Sequence, residues 1–337
     1  MDMSRKLLIN ILSIVVLVAI IIALPITLKS DYWTSVLIIL GVNILLVSSL
    51  RTIKLLGHIS LGHVGFSLIG AYGSALLVMK LGLSFWIALF LGGLMSAVIA
   101  LALAFPFLKV RGIYFAILTL LTAETFRLTA FYWSSLTGGL WGLLNIPSPN
   151  PITIPVIGTI TFDTVNSYYY LTAVIVSLSL LVLYRLERSH LGFKWRIIQD
   201  TDVLAQSVGI NVTWYKILNF AIASFFAGIA GALFAHYQHG LSPDFTARFG
   251  VLMSIYLLVY MVVGGEAKFA GPIVGTVVLT IVSELARGLG EYQPMMIGAI
   301  AIFSVLLMPE GLIGLPNRVK LWYRKLSKQT RGMRGSA

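Results

Sequence analysis

Residues Ser84–Leu108 read SFWIALFLGGLMSAVIALALAFPFL, twenty-five residues without a charge. An α-helix rises about 1.5 Å per residue, so this run reaches across a hydrocarbon core of about 30 Å. In lipid every backbone polar group must bond within the protein, and a helix does that locally. The stretch is therefore a spanning helix, and the chain around it has the same character. Of 337 residues, 58% are hydrophobic and only 11% are charged. A soluble domain carries about a quarter charged residues. There is no cysteine, which excludes disulfides and thiolate metal sites. The net charge of +12 sits between apolar blocks and not over a soluble basic face, which argues against nucleic-acid binding.

The same reading along the chain predicts an all-α fold, a polytopic transmembrane helical bundle of about ten spans. They are Leu7–Leu28, Tyr32–Leu50, Leu55–Met79, Ser84–Leu108, Gly112–Trp133, Ser167–Tyr184, Ile217–Tyr237, Phe249–Val263, Gly271–Arg287 and Pro294–Met308. The apolar run Leu7–Leu24 exceeds the roughly 7–15 residues of a signal-peptide core, and no A-x-A site follows, so it reads as a retained span. With the N-terminus in the cytoplasm, nineteen Lys and Arg fall inside and four outside (Lys29, Lys80, Arg248, Arg287), Arg127 lying within a span. That bias places both termini in the cytoplasm. Residues 1–315 form the transmembrane domain, with an external loop 134–166 and a cytoplasmic loop 185–216. Residues 316–337 form a basic cytoplasmic tail. There Val319, Trp322, Tyr323 and Leu326 share a helical face, suited to an interfacial helix on anionic lipid, or else the tail is disordered.

Small residues at four-residue spacing let helix backbones approach closely in lipid. Gly92, Ser96 and Ala100 do so, as do Ser224, Gly228 and Ala232, and Gly271 with Gly275. They serve tight packing or sliding surfaces. The glycine-rich stretch Leu56–Gly73 reads either as an ordinary span or as a broken helix beside a pathway. Glu124 and Arg127, mid-span and three apart, share a face with Thr122 close by. An ionisable group there must be paired or hydrated, so the two line a translocation path or form a structural ion pair. His58 and His63, and His236 and His239, lack the spacing and carboxylates of a metal site. No catalytic constellation stands out, and no G-x-x-x-x-G-K-[ST] is present, so any ATP must be bound by another chain.

Between two apolar blocks lies RSHLGFKWRIIQDTDVLAQSVGINVTWYK, Arg188–Lys216. Phe193, Ile197, Thr201, Leu204 and Val208 recur at helical spacing; Asp200 or Thr201 suits a helix start and Gly209 a helix end. This is a folded amphipathic element that rests on lipid head groups or docks into a soluble partner.

The stretch Ser189–His236 resembles the cytoplasmic loop and following helix of the branched-chain amino-acid ABC transporter permease family, LivM-type subunits. ISLGHVGFSLIGAYGSAL, VRGIYFAILTLLTAETFRL, LTGGLWGL, VVGGEAKFAGPIVG and MPEGLIGL are similar to further family segments, in order, across about Ile59–Leu315. Two positions depart: Trp141, where a small or acidic residue is common, and Glu266–Ala267, where a glycine pair is common. The resemblance implies a pore subunit of an importer in the cytoplasmic membrane of a bacterium or archaeon. Its partners would be a second homologous permease, two ATP-binding subunits holding ATP and magnesium, and an external substrate-binding protein. This chain would hold no cofactor. Asp200–Gly209, including Asp202 and Ala205 and flanked by Leu191, Gly192 and Ile210, would be the coupling element. Gly62, His63, Thr119, Thr122, Glu124, Arg127, Gly138 and Gly139, which lie in or beside these segments, are the candidate translocation path. Implied substrates are branched-chain or related amino acids, with urea and short-chain amides in close relatives. The rival is a secondary transporter or channel with Glu124 and Arg127 as its ion site.

Overall fold

The computed structural model describes residues 19, 21–110, 112–154, 158–243, 248–308 and 311–314. Its principal helices are α1 (Asp31–Lys54), α2 (His63–Leu81), α3 (Phe85–Phe107), α4 (Ile113–Tyr132), α5 (Val165–Arg188) and α6 (His190–Asp200), then α7 (Asp202–Ser207), α8 (Val212–Gln238), α9 (Val251–Gly264), α10 (Ala270–Leu285) and α11 (Gln293–Leu307). Among the described residues, seven helices are long and apolar enough to cross a membrane: α1 to α5, α8, and α10 with its extension to Gly290.

Two expectations change, and a third falls mostly outside the described residues. The apolar helices α9 and α11 have 14 and 15 residues, or about 21 and 23 Å, short of a bilayer core. Expected span Leu7–Leu28 lies mostly outside the described residues, although residues 21–28 are helical. The third helix starts at His63, not Leu55, and then runs unbroken to Leu81. Gly57 at φ +77° turns the chain back after α1, so the irregular part of the glycine-rich stretch precedes the helix. Both predicted termini, and the tail helix with them, fall outside the described residues.

Helices α2, α3 and α8 make the tightest crossing. A Cβ on Gly70 would overlap the backbone of Gly228, and one on Gly231 the carbonyl of Ser67. Ser96 Oγ donates to Phe66 O at 2.8 Å. Gly271 and Gly275 make the same kind of contact against Gly265, Gly264 and Tyr260 at the α9–α10 corner. The small-residue spacing therefore marks true backbone contacts. Helix α1 packs on α5, α8, α9 and α10.

The two ends of the bundle differ. Lys54, Lys109, Arg188, Lys194, Arg196 and Lys268 gather at the basic end, with α6 and α7. At the opposite end residues 134–154 and 158–164 of the loop dock on the helices. Strand β1 (Leu143–Leu144) pairs with β4 (Gly240–Leu241), and β2 (Ile152–Ile154) with β3 (Gly158–Ile160). Asn150 Oδ1 accepts from Phe85 N at 2.7 Å, and Pro147 O lies 2.9 Å from His236 Nδ1. Ile146 is fully buried. The described part of this loop is an ordered cap.

Overpacking a backbone crossing costs about 1–3 kcal/mol or more. Gly228→Val should therefore lower the thermal midpoint of the detergent-solubilised protein by several degrees. Gly298→Ala, where nothing lies within 4 Å of an added Cβ, should leave it unchanged.

Candidate functional site

Helix α5 ends at Arg188, and Ser189 Oγ accepts from Leu191 N at 3.1 Å to start α6. The sharp corner requires Gly192, where a Cβ would strike the Glu187 backbone. Thr201 is extended, at φ −162°, and separates α6 from α7. Gly209, at φ +80°, ends α7, and Asn211 Oδ1 accepts from Trp214 N to cap α8. The polar stretch is thus two helices with a break at Thr201, not one continuous element.

The buried side also differs from the periodic stripe. Gly192, Trp195, Ile198 and Ala205 face inward. Trp195, Ile198 and Ala205 form an apolar cluster with Leu55, Leu56 and Val212, against which Leu191 and Ile210 pack. Trp195 Nε1 donates to Tyr215 O at 3.2 Å. Among the stripe residues, Phe193, Leu204 and Val208 point outward. On α7 and its end, Val203, Leu204 and Val208 are 72%, 54% and 63% exposed. Asp200 is exposed at the end of α6. The coupling residues chosen from sequence therefore mostly seat the helix pair, and its free apolar face is made by their neighbours.

Two ion pairs tie this unit to the bundle. Arg51 of α1 and Glu187 of α5 meet at 2.5 and 3.1 Å, with side chains only 3% and 9% exposed. Glu187 also holds Arg196 of α6 at 2.8 Å. Arg51 donates from Nε to Glu266 O at 2.9 Å, and Nη2 lies 3.4 Å from Ala267 O. One guanidinium thus joins α1, α5 and the α9–α10 corner. Glu266 itself pairs with Lys54 at 3.3 Å; at 44% exposure its carboxylate adds little. The second tie is Lys216 of α8 to Asp202 of α7 at 2.8 Å.

The candidate path residues fall into three groups along α4 and do not converge. Gly62 packs on Thr119, Leu61 N donates to Thr119 Oγ1 at 3.1 Å, and His63 Nε2 lies 2.7 Å from Ser49 Oγ. Thr122 bonds the Leu118 carbonyl. Glu124 and Arg127 pair with each other, and Arg127 Nη1 donates to Pro243 O at 3.0 Å. That contact puts the pair toward the loop end rather than mid-span. Gly138 and Gly139 both have positive φ, and a Cβ on Gly138 would overlap Gly142.

A cavity of about 660 Å³ opens beside the capping loop. It reaches from Trp141 and Leu144 down to Asn43, near the middle of α1. None of the path candidates is among its described lining residues. Arg248 lines it instead, donating to Asn43 Oδ1 at 2.8 Å. It had counted as a loop charge because no apolar periodicity surrounds it. Likewise nothing in the sequence distinguishes Arg51 and Glu187 from ordinary charges at helix ends.

Seven helices among the described residues that are long and apolar enough to cross a membrane, with a docked cap and a folded helix pair at the basic end, define a multi-pass membrane protein. The profile of the family described as branched-chain amino acid transport system / permease component matches residues 32–305. The chain is 34% identical over 297 residues to the high-affinity branched-chain amino acid transport system permease protein LivM of Salmonella typhimurium, covering 83% of this chain and 68% of that protein. It is 33% identical over the same length to LivM of Escherichia coli K12. To the permease protein LivH of Escherichia coli K12 it is 24% identical over 163 residues, 48% of this chain and 51% of that one. No solved structure matches it. The chain belongs to this family of permease components.

Removing one partner of a buried ion pair costs about 3–5 kcal/mol, while an apolar replacement of both is often neutral. Glu187→Ala should therefore destabilise the solubilised protein strongly. The double variant Arg51→Met, Glu187→Leu should recover most of the loss in a thermal-unfolding assay.

Proposed function

We propose that this chain is the membrane-spanning permease subunit of an ATP-driven importer for branched-chain or related amino acids, alternating access being driven by separate ATP-binding subunits. The observation that carries this reading is the exposed apolar face of α7, held rigidly on a permease-family bundle. An exposed apolar patch on a stiff, anchored element suits a protein partner. The basic end lies in the cytoplasm by the positive-inside bias, where ATP is available. Two ATP-binding subunits would each hold ATP and magnesium; this chain needs no cofactor. Similarity to both LivM and LivH of one organism supports pairing with a second, homologous permease. At the opposite end, Trp141 (80% exposed) and Leu144 (64% exposed) offer an apolar surface to an external substrate-binding protein. The chain would sit in the cytoplasmic membrane of a bacterium or archaeon.

The contacts support one route for the motion. A push on α7 acts on α8 through Asp202 and Lys216. Through α6 it acts on Glu187 and so on Arg51 of α1. Asn219 Nδ2 of α8 donates to Thr52 O of α1 at 2.9 Å, so the two helices move together. Arg51 is about 12 Å along α1 from Asn43, which lines the cavity at the other end, as does Phe234 of α8. The Glu124–Arg127 pair is already engaged internally and with Pro243, which favours a structural role over an ion site.

Uptake of labelled leucine into proteoliposomes holding the assembled transporter, with its binding protein supplied on the substrate side, should require ATP on the side of α7. Uptake that ignores ATP and follows a proton or sodium gradient would sink the proposal. Leu204→Asp should reduce co-purification of the ATP-binding subunits and abolish ATP-dependent uptake. It should leave the thermal midpoint of the permease unchanged, because that side chain touches no core.

A further inference from the structure

The 660 Å³ cavity lies within the roughly 300–1,000 Å³ of small-molecule sites. Its walls are mixed. Ile39, Phe249 and Met253 are apolar, while Arg248 and Glu284 bring one charge of each sign. Arg248 is incompletely satisfied. Its Nη1 donates to Asn43 and its guanidinium sits 4.3 Å over the ring of Phe234. Its Nη2 is shielded from solvent and has no hydrogen-bond partner. A buried donor left without a partner costs about 1–3 kcal/mol, more on a charged group. Helix α9 begins three residues later, at Val251. Its first N–H groups and the positive end of its dipole add to the field on that wall. Glu284 Oε1 is held by Arg287 at 3.1 Å, with the carboxylate side chain 20% exposed. Anion-favouring and cation-favouring groups thus share one chamber with an apolar wall, and Asn43 brings it close to mid-membrane. Transporter sites commonly lie at that depth and place a helix N-terminus toward an anionic group.

We infer that this cavity binds an α-amino acid as its zwitterion, the carboxylate on Arg248, the ammonium on Glu284 and an aliphatic side chain against Ile39, Phe249 and Met253. A carboxylate that engages the guanidinium pairs with it in the strong charge-assisted manner of such pairs. An uncharged amide or urea meets neither charge. The choice of ligand class rests on the reading of the chain as an amino-acid permease; the two are tested separately because binding needs no ATP.

The test is equilibrium binding to the full chain in lipid nanodiscs, alone and within the assembled transporter, with three probes. These are L-leucine, L-leucinamide (no carboxylate) and 4-methylpentanoate (no ammonium). Wild type should bind leucine at least tenfold more tightly than either analogue. Arg248→Gln should weaken leucine at least tenfold. Glu284→Gln should weaken leucine but leave 4-methylpentanoate unchanged, a pattern that general misfolding does not produce. Even if Arg248→Gln fails to fold because its bond to Asn43 is lost, the wild-type probe series and Glu284→Gln still decide. Leucine binding unchanged in both variants, or leucinamide or urea binding as tightly as leucine, would overturn the assignment. Absence of leucine binding to wild type in either preparation would overturn it too. Arg248-dependent leucine binding in a transporter whose uptake ignores ATP would support the site and remove the ATP-driven reading alone.

Discussion

The contact between Arg51 and Glu187 governs the basic end of this molecule. A guanidinium with a 3% exposed side chain is tolerable only if its donors are met. Glu187 and the carbonyls of Glu266 and Ala267 meet them. Those partners come from α5 and from the α9–α10 corner, so satisfying one side chain fixes both of these parts against the end of α1. Glu187 reaches Arg196 as well, and the helix pair α6–α7 inherits the same fixed position. Buried ion pairs contribute little net stability against apolar replacements, but breaking one is costly. Its role here is geometrical, defining where α6 can sit.

From that anchor the remainder follows in order. Trp195 closes over Leu55 and Leu56, which lie in the turn set by Gly57. Ala205 fills the same cluster, so α7 presents its other face, Val203 and Leu204, to the outside. Helices α1 and α8 are joined to this unit by ion pairs at one end and border the large cavity at the other. Between the ends, the contacts of Gly70, Gly228 and Gly231 permit close packing of α2, α3 and α8. A movement of the helix pair therefore acts on packed helices with little slack, which suits transmission over the thickness of a bilayer.

The spanning helices were legible because lipid demands long uncharged runs, and Ser84–Leu108 came within a residue of helix α3. Small-residue spacing located the crossings at Gly92, Ser96, Gly228 and Gly275 for the same reason. The helix boundaries in the polar stretch were legible in part. Thr201 holds the N-cap position of α7 and Gly209 ends it, as expected, but Thr201 makes no side-chain cap bond, which Ser189 and Asn211 do make for α6 and α8. The stripe from Phe193 to Val208 identified a folded amphipathic element; Phe193, Leu204 and Val208 are exposed, and Ile197 packs on the inner cluster. What the stripe did not reveal is the second, covered set, Trp195, Ile198 and Ala205, which seats the helix pair. Arg51, Glu187 and Arg248 were not legible as a site. Arg51 and Glu187 are 136 residues apart and Arg248 and Asn43 are 205 apart, and only tertiary structure separates a buried arginine from one counted toward charge bias. The path candidates on α4 were chosen by polarity, yet each polar group among them is taken up by a local or packing bond.

The chain has no cysteine, so a single introduced thiol reports one position. The direct measurement is disulfide or short-linker cross-linking from Leu204→Cys to the ATP-binding subunits in the assembled transporter, compared with Leu178→Cys, an exposed residue within spanning helix α5. The account predicts efficient cross-linking at Leu204 that changes with nucleotide state, and none at Leu178. Equal or absent cross-linking at both, in a transporter that still hydrolyses ATP and imports leucine, would contradict it.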